Sequence, residues 1–275
     1  MRPETKFMIK VTDSHVHYHI FLRRIPQHCS SFLANVEDTR FELTYQDLEV
    51  EKAMLVPSHP CWSQDCSDGF DINLEVSRKN PELFLLWGEV NPVTCDVKKE
   101  LERQYSLGIV GIKLHPVHHG FPPNGYREEE GGDKNLEFIY QFAQDNRLPV
   151  LVHTGTSVGV KSRNKFGDPM LLDDVIKDFN LNLILAHAGR PIWYESAFFL
   201  ARNYPNVYLE ISSIPPKNLL KVLPRLPEIK EKVIYGSDFP AYRGQNLAKH
   251  AWEVFLQVKD QGVMSDNVMR LIAKV

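Results

Sequence analysis

Apolar and polar positions along this chain follow two rhythms. Short runs rich in valine, isoleucine and leucine fall at 7–15, 52–57, 83–90, 109–114, 149–153, 182–187, 206–211 and 232–236. Each has the length of a strand, and near-continuous apolar character is what a strand covered on both faces needs. Longer amphipathic stretches lie between them, at 96–107, 134–147, 169–179, 193–203 and 246–260. Within 134–147, Leu136, Ile139, Tyr140 and Ala143 recur at the three-and-four spacing of one helical face. Pro169 suits the first turn of a helix. Eight strands alternating with helices predict a parallel sheet, and 275 residues match a (β/α)8 TIM barrel, with room for slight distortion, as one domain over 1–275. A doubly wound open sheet is the alternative. It usually carries a glycine-rich first turn, where this chain reads HVHYHI.

Composition narrows the partners. A net charge of -3 gives no electrostatic basis for binding nucleic acid or an anionic membrane. No run approaches the ~18 apolar residues of a membrane span, and MRPETKFMIK lacks the apolar core of a signal peptide. Cys29, Cys61, Cys66 and Cys95 form no CxxC pair, which speaks against a zinc knuckle and for reduced thiols in a cytoplasmic chain. The expected partner is a small-molecule substrate, and the expected assembly is a homodimer.

A barrel carries its chemistry at the C-terminal ends of its strands. Those ends hold Asp13, His15 and His17; His59; Lys113 and His115; His153; His187; Glu210 and Ser212; and Asp238. Singly, each reads as a satisfied core histidine or a capping aspartate. Their shared position in the repeat sets them apart. In VTDSHVHYHI, His15 and His17 fall on one face of a strand. A purification tag would place its histidines contiguously. Histidine and carboxylate converging on one rim suit a divalent ion such as zinc.

HxH on the first strand, then His153, His187 and Asp238 on the fifth, sixth and eighth, resembles the amidohydrolase superfamily of metal-dependent barrels. GIKLHP, LPVLVHTG, LILAHAGRP and IYGSDFP resemble its amidohydrolase-2 branch, which holds metal-dependent hydrolases, lactonases and non-oxidative decarboxylases. The likeness runs from about Asp13 to Pro240 and is thinnest at the end, LIAKV. It implies that His15, His17 and His153 ligate a metal, with Asp238 as ligand and base. It implies that His187 holds a second metal or acts as acid, base or electrophile. It implies for Lys113 a carbamylated bridge between two ions or a free cation facing the substrate, and His115 directly after it complicates the match. Zinc is the first expectation, with manganese or iron as alternatives, as one ion or two.

The expected activity is hydrolysis of an amide, ester or lactone by metal-activated water, with decarboxylation of a small carboxylic acid as the alternative. A barrel that has lost catalysis is the third reading, and the full ligand set argues against it. Arg190 reads equally as a carboxylate clamp or a rim ion pair. His115 is placed near the pocket, under a covering loop in which His118 and His119 are incidental. Lys161, Arg163 and Lys165 read as solvated loop charge, residues 127–133 as an exposed turn at Gly131–Gly132, His19 and His28 as structural or surface, and Trp62 and Trp193 as pocket wall or packing.

Overall fold

The apolar runs become the staves of a barrel. The computed structural model describes residues 8–24, 36–57, 68–159 and 161–273. Its strands are β1 (Ile9–Val16), β2 (Thr44–Tyr45), β3 (Leu48–Leu55), β4 (Phe84–Glu89), β5 (Gly111–Leu114), β6 (Val150–His153), β7 (Leu183–Ala186), β8 (Val207–Glu210) and β9 (Val233–Ile234). All but β2 run parallel, in the order β1-β3-β4-β5-β6-β7-β8-β9, while β2 is a short antiparallel addition to β3 that the pattern did not predict. The ring closes where the chain beyond β9 returns to β1. Ser14 N–H donates to the Tyr235 carbonyl (3.2 Å), Asp238 N–H to that of His15 (2.8 Å) and His17 N–H to that of Phe239 (2.7 Å).

The helices are α1 (Tyr18–Phe21), α2 (Asp68–Lys79), α3 (Val97–Ser106), α4 (Pro116–His119), α5 (Lys134–Asp145), α6 (Asp173–Asp178), α7 (Tyr194–Asn203), α8 (Leu219–Val222), α9 (Leu247–Val258) and α10 (Asn267–Ile272). Side-chain caps start several of them: Asp96 accepts from Lys99 N–H, Asp133 from Asn135 and Leu136 N–H, and Asn246 from Lys249 N–H. The stretch from Pro169 opens as a 3-10 turn (Pro169–Leu172) capped by Asp168, and only then becomes α6. Helix α2 was not predicted. Its inward face includes the buried polar residues Asn73 and Ser77, which interrupt the apolar stripe.

Alternation along each strand sorts the core into two layers. Leu55, Ile112, Leu114, Val150, Val152, Leu183, Leu185, Val207 and Leu209 belong to the large core shared with the helices. Met54, Val56, Trp87, Leu151, Ile184, Ala186 and Ile234 form a separate cluster, joined by Val268, Leu271 and Ile272 of α10. Further along the chain at the same strand ends the side chains turn polar: His153 comes two residues after Leu151, Glu210 two after Tyr208, and Asp238 four after Ile234. The rim chemistry therefore stands on an apolar floor.

Among the described residues no helix is long and apolar enough to cross a membrane. Cys95 is disulfide-bonded, which corrects the expectation of reduced thiols; Cys29, Cys61 and Cys66 lie outside the described residues, as do His28, His59 and Trp62.

On α9, His250 is buried with Nδ1 3.0 Å from the Tyr235 hydroxyl, and burial pushes its pKa from the usual 6.5 down to about 4. Between those values the unfolded chain takes up a proton that the native state refuses. Stability should therefore fall as the pH drops through this window, by up to about 3 kcal/mol from this group. Urea unfolding from pH 7.5 to 4 should show a smaller acid loss for His250→Gln than for the unchanged protein. Identical pH profiles would contradict a neutral buried His250.

Candidate metal centre

Closure of the barrel builds the centre. The N–H of Asp238 is bonded to the His15 carbonyl, so its carboxylate lies between the two β1 histidines. Its Oδ1 is 3.2 Å from His17 Nε2 and 3.5 Å from His15 Nε2. His187 enters from the turn after β7, with Nδ1 4.0 Å from Asp238 Oδ2. Potential donor atoms of His15, His187 and Asp238 all lie within 4.8 Å of one another. The backbone is left-handed at His187 (φ 64°), Ala188 (φ 46°), Ser213 (φ 56°) and Asp238 (φ 56°). Each such residue costs on the order of 1–3 kcal/mol, which surrounding bonds must offset. One such bond is donated by the Ser213 hydroxyl to Asp238 Oδ2.

A second ring of bonds orients the first. His17 Nδ1 lies 2.9 Å from the Val56 carbonyl, which can only accept, so Nδ1 carries the proton and Nε2 the lone pair. His15 Nδ1 is 3.3 Å from Glu210 Oε2. The Ser212 hydroxyl donates to Glu210 Oε2 (2.8 Å) and so accepts from His187 Nδ1 (2.8 Å). Glu210 also accepts from the N–H groups of Ser212 (2.8 Å) and His187 (3.2 Å). All three rings are thus held by Nδ1 with Nε2 left for another partner, the arrangement that second-layer groups give metal-bound histidine. Glu210 approaches through a gap that only glycine leaves, since a Cβ on Gly236 would sit 2.1 Å from Glu210 Oε1. Sequence reasoning gave Glu210 and Ser212 no role. Their strand-end position, two residues apart, was the available signal.

Across the mouth stand the residues of β5 and β6. The His115 ring stacks between those of His118 (3.7 Å) and His153 (4.0 Å), and His153 meets His187 at 4.7 Å. Among the described residues, His153 Nε2 and Lys113 Nζ are buried without a hydrogen-bond partner. The open His153 Nε2, with the Nε2 atoms of His15, His17 and His187 and the Asp238 carboxylate, makes a donor set that fits a divalent cation. His118, read as incidental, lines the cavity and is 2.7 Å from the Ser157 hydroxyl, while His119 is buried and does not line it. The cavity holds about 270 Å³ and brings together His15, His17, Lys113, His115, His153, His187, Arg190 and Asp238, the residues expected to hold metal, substrate or protons. Lys161, Arg163 and Lys165 are exposed, and Trp193 begins α7 without lining the cavity. Gly155 (φ 98°) lets the loop after β6 meet the loop after β7, because a Cβ there would lie 2.1 Å from the Arg190 carbonyl.

Burial sets the charges. It pushes His15, His115, His153 and His187 below the ordinary histidine range, and His118 to about 4, with the Lys113 charge adding to the effect at His15, His115, His118 and His153. Lys113 falls to about 8, because burial outweighs the carboxylates of Asp238, Glu210 and Glu89. At Asp238 burial opposes the charge, yet His187, then His17 and His15, hold the carboxyl well below its usual range. Near neutral pH the rim presents imidazole lone pairs and an ionised carboxylate.

The sequence profile of the family described as Amidohydrolase matches residues 64–270. No curated protein matches. Among solved structures, an uncharacterised TIM-barrel protein from Bordetella bronchiseptica is 18% identical, with a TM-score of 0.67 over 96% of this chain and 99% of that one. A protein from Lactobacillus casei provisionally described as a metal-dependent hydrolase is 12% identical, with a TM-score of 0.61 over 98% and 96%. A 5-carboxyvanillate decarboxylase from Novosphingobium aromaticivorans, solved with manganese, is 14% identical, with a TM-score of 0.61 over 98% and 97%. At these identities the likeness is one of fold.

The tight fit at Gly236 makes a testable pair. Gly236→Ala should cost about 1–3 kcal/mol of stability by driving a methyl group into Glu210. In a Glu210→Ala background the same change should cost clearly less. A double-mutant cycle by urea unfolding measures the coupling, and strictly additive costs would show that the contact does not constrain the site.

Proposed function

The chain belongs to the amidohydrolase family, and on that membership we propose that it is a metal-dependent hydrolase of small molecules, cleaving an amide, ester or lactone bond. The observation that carries this reading is the convergence of His15, His187 and Asp238 donor atoms within 4.8 Å inside a buried polar cavity. His15, His17, His153 and Asp238 would hold one cation, and His187, in the same cluster, would hold a second or face the substrate; zinc suits these ligands best, with manganese or iron as alternatives. When bound, such a cation supplies Lewis acidity that acidifies water and polarises a carbonyl.

The chain's own groups do the rest. Asp238, held ionised, takes a proton from the attacking water and returns it to the leaving atom. His187, with Nδ1 bonded to Ser212, presents Nε2 to the substrate side. Lys113 places a buried ammonium where negative charge develops on the attacked oxygen. A carbamylated Lys113 spanning two ions is the other role open to that side chain. Burial of the histidines keeps these interactions strong.

Decarboxylation of a small carboxylic acid is the second reading. Arg190 and Lys113 both face the cavity and could receive a carboxylate, and the manganese-containing decarboxylase shares the fold.

Elemental analysis by plasma mass spectrometry tests the centre directly. The purified protein should carry about one equivalent of divalent metal, or about two if Lys113 is a carbamate bridge. His15→Ala should lose most of it. Asp238→Asn should keep metal and lose activity by roughly a hundredfold or more. Release of CO₂ from a carboxylic acid substrate would select the second reading, and a protein that takes up no metal after reconstitution would sink both.

A further inference from the structure

A second cleft of about 750 Å³ adjoins the metal-centre cavity, and Arg190 and Ala241 line both. Its apolar lining comes from the loop after β8 (Ile214, Pro215, Pro216), the segment after Asp238 (Tyr242) and α9 (Leu256), and Lys217 and Glu253 line it as well. Tyr242 and Leu256 are 46% and 47% exposed, a high value for apolar side chains, and both turn toward this cleft. The two spaces touch chemically as well, because Ser213 lines the cleft and bonds Asp238. Arg190 stands at the junction. Its Nε is buried with no hydrogen-bond partner, and its guanidinium forms no ion pair among the described residues. A buried donor of this kind is costly unless a ligand satisfies it.

Size decides what the two spaces do together. A cavity of 270 Å³ is below the range that accommodates most small-molecule ligands whole, whereas 750 Å³ is well within it. We propose that the substrate is a carboxylate with an apolar, ring-sized arm. Its reacting bond enters the metal-centre cavity, its carboxylate is clamped by Arg190, and its arm lies in the cleft against Ile214, Tyr242 and Leu256. This deepens the hydrolase reading and rests on it for the position of the reacting bond.

The test uses 4-phenylbutyrate as probe, with acetate and 4-phenylbutan-1-ol as the charge-only and arm-only comparators, in titration calorimetry of the purified protein. 4-Phenylbutyrate should bind about tenfold or more tightly than either comparator. Arg190→Met should weaken it by about tenfold or more while leaving the alcohol unchanged. Leu256→Glu, a change at a half-exposed position, should weaken 4-phenylbutyrate severalfold and leave acetate unchanged. Acetate binding as tightly as 4-phenylbutyrate would remove the arm site, and an unaltered affinity in Arg190→Met would remove the clamp. Metal content is measured on the same preparations. Discrimination between the probes in a protein that binds no metal would retain the cleft and sink the hydrolase reading. A metal-loaded protein without discrimination would sink this proposal alone.

Discussion

Every group at the mouth of this barrel depends on the hydrogen bonds joining the first strand to the chain beyond the last. The bonds from Asp238 N–H to the His15 carbonyl and from His17 N–H to the Phe239 carbonyl cover strand edges that would otherwise stay open. The same two bonds fix the register of Asp238 against both β1 histidines. Closing the sheet and assembling the donor cluster are one event. Asp13 reinforces it, its Oδ1 accepting from Ser237 N–H (2.9 Å) and His15 N–H (3.1 Å). Burial pushes the Asp13 carboxyl up to about 7.

A polar rim inside a barrel is expensive unless each group has a partner. Most of this rim meets that demand through Glu210, which gathers His15, Ser212 and the His187 backbone into one network. Among the described residues that line the cavity, His153 Nε2, Lys113 Nζ and Arg190 Nε are left without a hydrogen-bond partner. Burial also keeps the histidines uncharged, so the rings themselves do not repel a cation at their lone pairs.

Much of this was legible in the residues alone. The eight apolar runs fall on the eight barrel strands because two-sided burial leaves a near-continuous hydrophobic signal. The site positions were legible because a barrel confines its chemistry to strand ends, so HxH, KLH, VHTG and SDF could be read by place. What geometry alone supplies is the second ring of bonds. Nothing in LEISS says that Glu210 fixes the tautomer of a histidine on β1, or that Gly236 is small to admit it. The His118 stack depends on a one-turn helix, α4, too short to leave a periodic pattern. The second cleft is built from two loops and one exposed flank of α9, whose Tyr242 and Leu256 look like ordinary surface residues until the loops come together. The disulfide at Cys95 had no spacing signal at all.

The seam also sets an order of events during synthesis. His15 and His17 leave the ribosome more than two hundred residues before Asp238. At ordinary translation speed that gap is on the order of tens of seconds. Throughout it the nascent chain displays a histidine pair without the carboxylate that completes the cluster. The complete donor cluster is therefore a property of the finished ring and comes into being only when the last stave docks.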